Sequence, residues 1–444
     1  MKKKMKQWTA FLLSVVLLLG GMTACGKADK EISGEKPLTI AYGQDTVGNF
    51  PGLESVISGM EAEGVQVEVL KFPTEAEMAT ELSEELMAGK GPDVVLSTNY
   101  GALDYEGLAK DGCFYDLTTW AESEFSPDQH YTNILNGSQI NGMQYAIPLS
   151  FSVPMLLTTE EKMRQANITL AGEYTGEEWM EQFLAGDPAD GTTQYAVTWG
   201  STGYEDLPLA AALDIPLTDG TTALPEEEAF VAMEKFAKLL DEQLAQQSKK
   251  GNTRKPMEVL AEETESMTFS IFLRNFNLLF AYWVNSGYQL GGDLSELRFF
   301  PVTTYDSTDN FALATTFGTV SAGAANPELG FQFLKRMATL SYDQNVANVG
   351  LTLNKKSVEY YLDELTTRKD TIRQGTAQVQ GVPLSQGQAS RLRTILEETD
   401  GCVITNLTES AVEVSKLTMK YRRNGEDLEE LLPEIRETIE YYQN

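Results

Sequence analysis

One stretch of the chain carries apolar residues at helical spacing. Met78, Leu82 and Leu86 follow one another every four residues, which puts their side chains on one face of a helix. Thr74 stands three residues before Glu77, the spacing of a capping box that satisfies the first free backbone N–H groups of a helix. The pattern therefore predicts an amphipathic helix that begins just after Thr74.

A short apolar run follows this helix. Residues 89–92 are rich in glycine and proline and end the helix, and residues 94–96 are two valines and a leucine, the pattern of a strand covered on both faces. Thr98, Asn99 and Tyr100 come just past the carboxyl end of that strand. Because ligands of open α/β sheets bind outside the carboxyl ends of the strands, we expect these three residues to contact a ligand.

The chain before this stretch predicts the same alternation of elements. Residues 38–42 form a strand, and Gln44 and Asp45 lie in the loop after it, where we expect further ligand contacts. Residues 53–60 have a helical apolar face, and residues 65–69 alternate apolar and polar residues like a strand. The order strand, helix, strand, helix, strand predicts a doubly wound α/β lobe.

The apolar pattern of the later chain predicts a helix over residues 267–276, a strand over 278–281 and a final helix over 427–442.

Aromatic residues occur at or just past several predicted strand ends. Aromatic rings can stack on the apolar faces of sugars, although each ring could equally pack the edge of a lobe. The aromatic candidates for ligand contact are Phe151, Trp199, Tyr204, Tyr282, Trp283 and Phe317.

Several segments resemble, in collinear order, the bacterial extracellular solute-binding proteins of family 1, the carbohydrate-type receptors of ABC importers. They are Ala-Gly-Lys-Gly-Pro-Asp-Val-Val at 88–95, Asn-Gly-Met-Gln-Tyr-Ala-Ile-Pro at 141–148 and Ala-Asn-Pro-Glu-Leu-Gly-Phe-Gln-Phe-Leu at 325–334. The resemblance implies a two-lobed α/β fold of the type II periplasmic-binding-protein kind, with a ligand cleft between the lobes. It also implies a monomeric receptor without a cofactor, whose partners are a mono- or oligosaccharide and the permease subunits of an ABC transporter. Sugar-binding members carry a stacking tryptophan at the strand end that Trp283 would occupy.

The resemblance also divides the chain into lobes. We expect residues 37–149 and 303–352 to form the first lobe, and residues 150–302 and 353–444 to form the second. The chain would then cross between the lobes near Leu149 and near Val302.

The amino-terminal segment has the pattern of a targeting signal. Basic residues precede the apolar run 10–19, which is too short to span a membrane in the mature protein. Small residues just before Cys25 resemble the lipobox of bacterial lipoproteins. This resemblance implies that residues 1–24 are a signal peptide, that Cys25 carries lipid at the extracellular face of the membrane, and that residues 25–36 are a tether. An ordinary secretory signal with a chance cysteine is the alternative.

Charge and residue counts exclude several function classes. The chain has 34 Lys and Arg against 65 Asp and Glu, and such acidity argues against nucleic acid and against an anionic membrane surface. The lone histidine, His130, is expected at the surface, which leaves no basis for a metal site or a Ser-His-Asp triad. Cys113 and Cys402 are expected to be free thiols.

Two other functions remain open. A secreted glycan hydrolase would need a catalytic pair of carboxylates in the cleft, and with 65 acidic residues such pairs are easy to find. A receptor for a peptide or an organic anion would need Lys or Arg side chains that converge near the strand ends. A receptor without enzymatic activity is the preferred interpretation.

Overall fold

The structure is a computed structural model that describes residues 36–165, 168–170, 172–185, 194–197, 206–251, 267–272, 297–341, 350–367, 371–374, 377–380, 383–404 and 408–443. The strands are β1 (Leu38–Gly43), β2 (Val67–Phe72), β3 (Val94–Thr98), β4 (Ala146–Ser152), β5 (Met155–Thr159), β6 (Gln194–Val197), β7 (Met267–Phe272), β8 (Leu297–Pro301), β9 (Phe311–Val320), β10 (Thr371–Gln374), β11 (Ala377–Gln380) and β12 (Gly401–Val403). The helices are α1 (Leu53–Ala62), α2 (Glu75–Met87), α3 (Tyr105–Lys110), α4 (Thr118–Glu124), α5 (Thr132–Gly137), α6 (Glu160–Gln165), α7 (Gly176–Ala185), α8 (Asp206–Ala212), α9 (Glu227–Gly251), α10 (Pro327–Ala338), α11 (Lys355–Thr367), α12 (Gln386–Glu398), α13 (Glu409–Met419) and α14 (Leu428–Gln443).

Two sheets organise the described residues. The larger sheet has the strand order β12-β9-β3-β1-β2, with β4 paired to β9, and the smaller sheet has the order β6-β7-β5-β8. Strands β1, β2 and β3 are parallel, and helices α1 and α2 connect them. This is the doubly wound arrangement that the sequence predicts. The helix α2 begins as expected, because the Thr74 hydroxyl accepts a hydrogen bond from the Glu77 backbone N–H at 3.1 Å.

The apolar core of the described residues separates into three clusters, and the largest reaches from the larger sheet to Met155 and Phe299 of the smaller one. One cluster surrounds the larger sheet and includes Val358 and Leu362 of α11 and Leu392 of α12. A second cluster includes the helices beside the smaller sheet and, from the C-terminal part, Val414 of α13 and Ile435 of α14.

This packing differs from the lobe boundary expected at residue 353. The apolar faces of α11 and α12 are buried in the cluster of the larger sheet, and β12 pairs in parallel with the start of β9. Helix α11 and strand β12 therefore pack with the larger sheet and α13 and α14 with the smaller one, while α12 also contacts β8 of the smaller sheet. Periodicity shows which face of such a helix is apolar, but not which sheet covers that face.

Two crossings between the two sheets lie within the described residues. The first is Val153–Pro154, between β4 and β5, and the second is the segment 302–310, between β8 and β9. The Val302 backbone N–H donates to the Pro154 carbonyl at 3.0 Å, so these two crossings touch each other. The first crossing was expected near Leu149. It lies a few residues further on because β4 continues to Ser152.

Three local predictions can be compared with the structure. Residues 267–272 form strand β7, so the prediction of a helix over 267–276 is wrong there; the apolar run fits either element by periodicity. The predicted final helix is confirmed as α14. His130 is 9% exposed and packs edge-on against Phe125 at 5.1 Å between ring centroids, so the expectation of an exposed histidine is wrong. Burial lowers the pKa of His130.

Cys113 and Cys402 are both buried and free, as expected. Burial raises the pKa of each thiol. Among the helices that the structure describes, none is both long and apolar enough to cross a membrane. The segment with Cys25, the signal and the tether lies outside the described residues, apart from Lys36.

Candidate ligand-binding site

The carboxyl ends of the parallel strands of the first lobe meet at one edge of the larger sheet. Strand β1 ends at Gly43 and β3 ends at Thr98, and the two strands are neighbours with Ile40 opposite Val94. Gln44 and Asp45 follow β1 in a short 3-10 turn, and both are exposed. The sequence-predicted residues Gln44, Asp45 and Thr98 therefore belong to one strand-end region.

A buried carboxylate joins the two strand ends. Glu75, the first residue of α2, is 4% exposed, and its carboxylate accepts hydrogen bonds from the Thr98 backbone N–H and from the Thr98 hydroxyl, both at 2.7 Å. The Glu75 backbone N–H in turn donates to the Asp45 carboxylate at 2.9 Å. Residue 75 thus contacts the loop after β1 and the loop after β3.

Burial raises the pKa of Glu75, and the nearby Asp45 carboxylate raises it further, while the hydrogen bonds from Thr98 lower it. Glu75 is not among the site residues predicted from the sequence. The capping box marked this turn as a helix start, but no local pattern shows that its first carboxylate turns toward β3.

Asn99 and Tyr100 are half-buried at the same edge. The Asn99 backbone N–H donates to the Thr315 carbonyl at 3.1 Å, and the Tyr100 backbone N–H donates to the Thr98 hydroxyl at 3.4 Å. The main chain of this loop is therefore held on one side by β9 and on the other by Thr98, which itself is held by Glu75.

Two of the predicted aromatic contacts are core residues in the structure. Phe151 is 0% exposed and packs against Tyr131 at 6.0 Å between ring centroids, and Phe317 is 1% exposed and packs against Tyr105 at 5.4 Å. Neither ring offers a face to a ligand. Both lie near strand ends in sequence, but their side chains point to the inside of the lobe, which strand alternation alone could not decide.

The second lobe presents its strand ends on the side of the crossings. Strands β6 and β7 are parallel, with Val197 opposite Ile271, and the carboxyl-terminal residue of β7, Phe272, pairs with Met155 just after the first crossing. In the first lobe, Thr98 pairs with Thr316, which also pairs with Ser150, near the other end of that crossing. The described strand ends of both sheets therefore lie on the side where the chain crosses.

The remaining predicted residues follow these second-lobe strands. Trp199 comes two residues after Val197, the last residue of β6. Trp199, Tyr204, Tyr282 and Trp283 all lie outside the described residues, as does the predicted strand 278–281.

The chemistry of the described cluster is acceptor-rich. Asp45 and Glu75 supply carboxylates, and no hydrogen bond or ion pair described for these two residues or for Thr98 involves Lys or Arg. Within the described part of the chain, no group of His, Cys, Asp and Glu side chains could hold a metal ion.

A cavity of about 560 Å³ lies elsewhere, between the start of α12 and strand β8. Arg298 and Arg391 line it, but Arg298 is paired with Glu160 at 2.9 Å. Arg298 is opposite Thr158 in the sheet, away from the crossings. Arg298 therefore does not belong to the strand-end region.

Two α/β sheets that the chain links by crossings, with strand ends on the crossing side, define the two-lobed fold of periplasmic binding proteins. The sequence model of the bacterial extracellular solute-binding protein family matches residues 60–350. The chain belongs to this family. No curated protein matches it in sequence.

Solved structures share this fold over nearly the whole chain. The sugar-binding protein MalE from Xanthomonas citri is 12% identical, with a TM-score of 0.57 over 92% of this chain and 97% of that one. A sugar transporter protein from Rhizobium etli in an open conformation is 16% identical, with a TM-score of 0.55 over 91% and 99%. A family 1 extracellular solute-binding protein from Alicyclobacillus acidocaldarius is 13% identical, with a TM-score of 0.54 over 93% and 100%.

Proposed function

We propose that this protein is a lipid-anchored, monomeric receptor that captures a mono- or oligosaccharide between its two lobes and delivers it to an ABC importer. The observation that carries the proposal is the strand-end cluster at Asp45, Glu75 and Thr98, on the side of the sheet where the chain crosses to the second lobe. Contacts from both lobes to one solute would stabilise a closed form, which a permease can distinguish from the open one.

The side chains of this cluster favour a neutral polyol over an anion. Sugar hydroxyl groups donate hydrogen bonds to carboxylates and amides, and the described cluster offers such acceptors at Asp45 and Asn99. A carboxylate or phosphate would meet like charge there. Two proteins of the same fold are named a sugar transporter and a sugar-binding protein, which agrees with a sugar as the ligand.

Ligand screening combined with small-angle scattering tests this function. We expect a mono- or oligosaccharide from a panel to raise the melting temperature and to reduce the radius of gyration, because closure brings the lobes together. A peptide or an organic anion that binds while every sugar fails would contradict the sugar assignment. An unchanged radius at saturating sugar would contradict closure, and release of shorter sugars during incubation would show a glycan hydrolase instead.

Anchoring is tested at Cys25. Cys25→Ser removes the thiol that would carry the diacylglycerol, so we expect the variant to appear in the culture medium or to keep its signal segment, while the wild type stays with the membrane. Mass spectrometry of the first mature residue provides the measurement. Wild-type protein that is fully released and carries no lipid mass would favour an ordinary secretory signal.

Trp283 is the proposed stacking residue of the second lobe, and Trp199, Tyr204 and Tyr282 are proposed as further ligand contacts. We expect Trp283→Ala to weaken binding of a sugar found in the panel by at least about tenfold, since truncating an aromatic hot spot commonly costs about 2 kcal/mol. Asp45→Asn should cost less, because the amide still accepts a hydroxyl hydrogen bond. Titration calorimetry that gives equal affinities for Trp283→Ala and wild type would make Trp283 a packing residue.

A further inference from the structure

We infer that Glu75 is the positioning residue of the first-lobe ligand loops: its buried carboxylate holds the loop after β3 in place against the loop after β1. The inference rests on the proposed receptor function for its effect on sugar binding. The fixing of residues 98–101 by Glu75 does not depend on that function, because it follows from contacts within this chain.

The loop after β3 turns back over the Glu75 carboxylate. The Gly101 backbone N–H donates to the Thr98 carbonyl at 2.9 Å, which closes a tight turn around Asn99 and Tyr100. A Cβ atom added at Gly101 would lie 2.2 Å from Glu75 Oε1, so any other residue there would displace the carboxylate or the loop. The carboxylate therefore fills the inside of the turn.

The loop after β1 is fitted to the backbone of the same residue. A Cβ atom added at Gly43 would lie 2.4 Å from the Glu75 backbone N and 2.7 Å from its Cα. The adjacent Asp45 carboxylate accepts the Glu75 N–H, one of the free donors at the start of α2. Both ligand loops are therefore in tight contact with Glu75, and a shift of Glu75 would move both loops.

The carboxylate reaches the ligand loop through a short chain of hydrogen bonds. Glu75 accepts from the Thr98 hydroxyl, and the same hydroxyl oxygen accepts from the Tyr100 N–H at 3.4 Å. An ionised carboxylate accepts both Thr98 donors as charge-assisted bonds, whereas a protonated one keeps a neutral acceptor for the Thr98 N–H and has to donate to the Thr98 hydroxyl oxygen instead. The ionised form therefore makes the stronger contacts to Thr98 and holds the loop more firmly.

Few titratable groups face Glu75 among the described residues. Asp45 faces it from the turn after β1, and β3 presents the hydroxyl groups of Ser97 and Thr98. Burial and the Asp45 charge raise the pKa of Glu75 above its ordinary value of 4.5. Proton uptake as the pH falls through that raised value should loosen the loop and weaken sugar binding.

Amide hydrogen exchange of the full-length protein tests the structural part without any sugar. In Glu75→Ala we expect the amides of residues 98–101 to exchange at least about tenfold faster than in wild type, because the Thr98 N–H loses its acceptor. Glu77→Ala is the matched control, since Glu77 is an exposed carboxylate in the same helical turn. Equal exchange in all three proteins, each with an intact melting transition, would overturn the inference.

The pH profile of sugar affinity tests the functional part, with maltose, maltotriose and raffinose as probes. We expect the affinity of wild type to fall as the pH is lowered from 7.5, Glu75→Gln to lose most of that pH dependence, and Glu75→Ala to bind at least about tenfold more weakly throughout. The same pH profile in Glu75→Gln and wild type would overturn the role of the carboxylate. If no probe binds wild type, the sugar assignment fails, while the exchange result still decides the positioning role.

Discussion

Replacing Arg422 by methionine is expected to lower the free energy of unfolding by about 3 to 5 kcal/mol, because it leaves buried carboxylates without their cation. Arg422 has a fully buried side chain in the π-helical turn Lys420–Asn424, which follows α13 directly. Its guanidinium lies 3.3 Å from the Asp206 carboxylate, 3.6 Å from Glu234 and 3.9 Å from Asp241. The wide turn brings a charged side chain into the core of the second lobe.

Arg423 supplies the matched control for this variant. It is the next residue, it contacts Asp241 at 3.5 Å, and its side chain is 43% exposed. Asp241 is buried but keeps Arg422 as a second cation, and the Arg423 side chain itself is partly exposed, so Arg423→Met should lower the urea midpoint less than Arg422→Met. Equal losses of stability in Arg422→Met and Arg423→Met would show that the buried cluster is not what stabilises this lobe.

Glu234 makes the stability of the same cluster depend on pH. Burial raises its pKa to about 8, with the Asp206 charge adding to the shift. Between pH 4.5 and 8 the folded protein then holds a proton that the unfolded chain has lost, so the contribution of Glu234 to stability falls as the pH rises through this window. Urea unfolding of Glu234→Gln should show a smaller decrease over the same range; an identical decrease would contradict the assignment.

Replacing Asp93 by alanine is expected to cost about 3 kcal/mol or more, because it removes four hydrogen bonds to a buried carboxylate, and hydrogen bonds to charged groups contribute about 1.5 to 3 kcal/mol each. The Asp93 carboxylate is 3% exposed and accepts four hydrogen bonds. The Thr39 N–H and hydroxyl donate to one oxygen at 2.9 and 3.0 Å, and the Ala325 and Asn326 N–H groups donate to the other at 2.6 and 3.1 Å. Asp93 therefore ties together β1, β3 and the start of α10.

Asp104→Ala is the control for Asp93→Ala. Asp104 is exposed and accepts one hydrogen bond, from the Gly107 N–H at 3.0 Å, at the start of α3. Loss of such a cap costs about 1 kcal/mol. The two variants should be separated clearly in the urea midpoint, and a loss from Asp93→Ala no larger than from Asp104→Ala would contradict the central position of Asp93.

The family signature at residues 88–95 acquires a physical meaning from Asp93. In the structure its four hydrogen bonds are all to the protein, at the amino-terminal end of β3. The ligand candidates Thr98, Asn99 and Tyr100 stand at the opposite end of that strand.

Secondary-structure elements that depend on residues close in sequence could be predicted from the sequence alone. The capping residue Thr74, the apolar spacing of α2 and the buried run of β3 act within a few residues, so their positions could be predicted closely. The alternation of such elements also determined the α/β class of the fold, and the collinear motifs determined the family.

Which surfaces meet depends on the packing of the whole chain. Helix α11 presents an apolar face that either sheet could cover, and its Val358 and Leu362 are buried in the cluster around the larger sheet. Phe151 and Phe317 lie near strand ends yet face the core, while Glu75 joins Thr98 across 23 positions of sequence. The physical reason is that periodicity reports which face of an element is apolar, whereas partners distant in sequence are chosen by packing and hydrogen bonding of the whole chain.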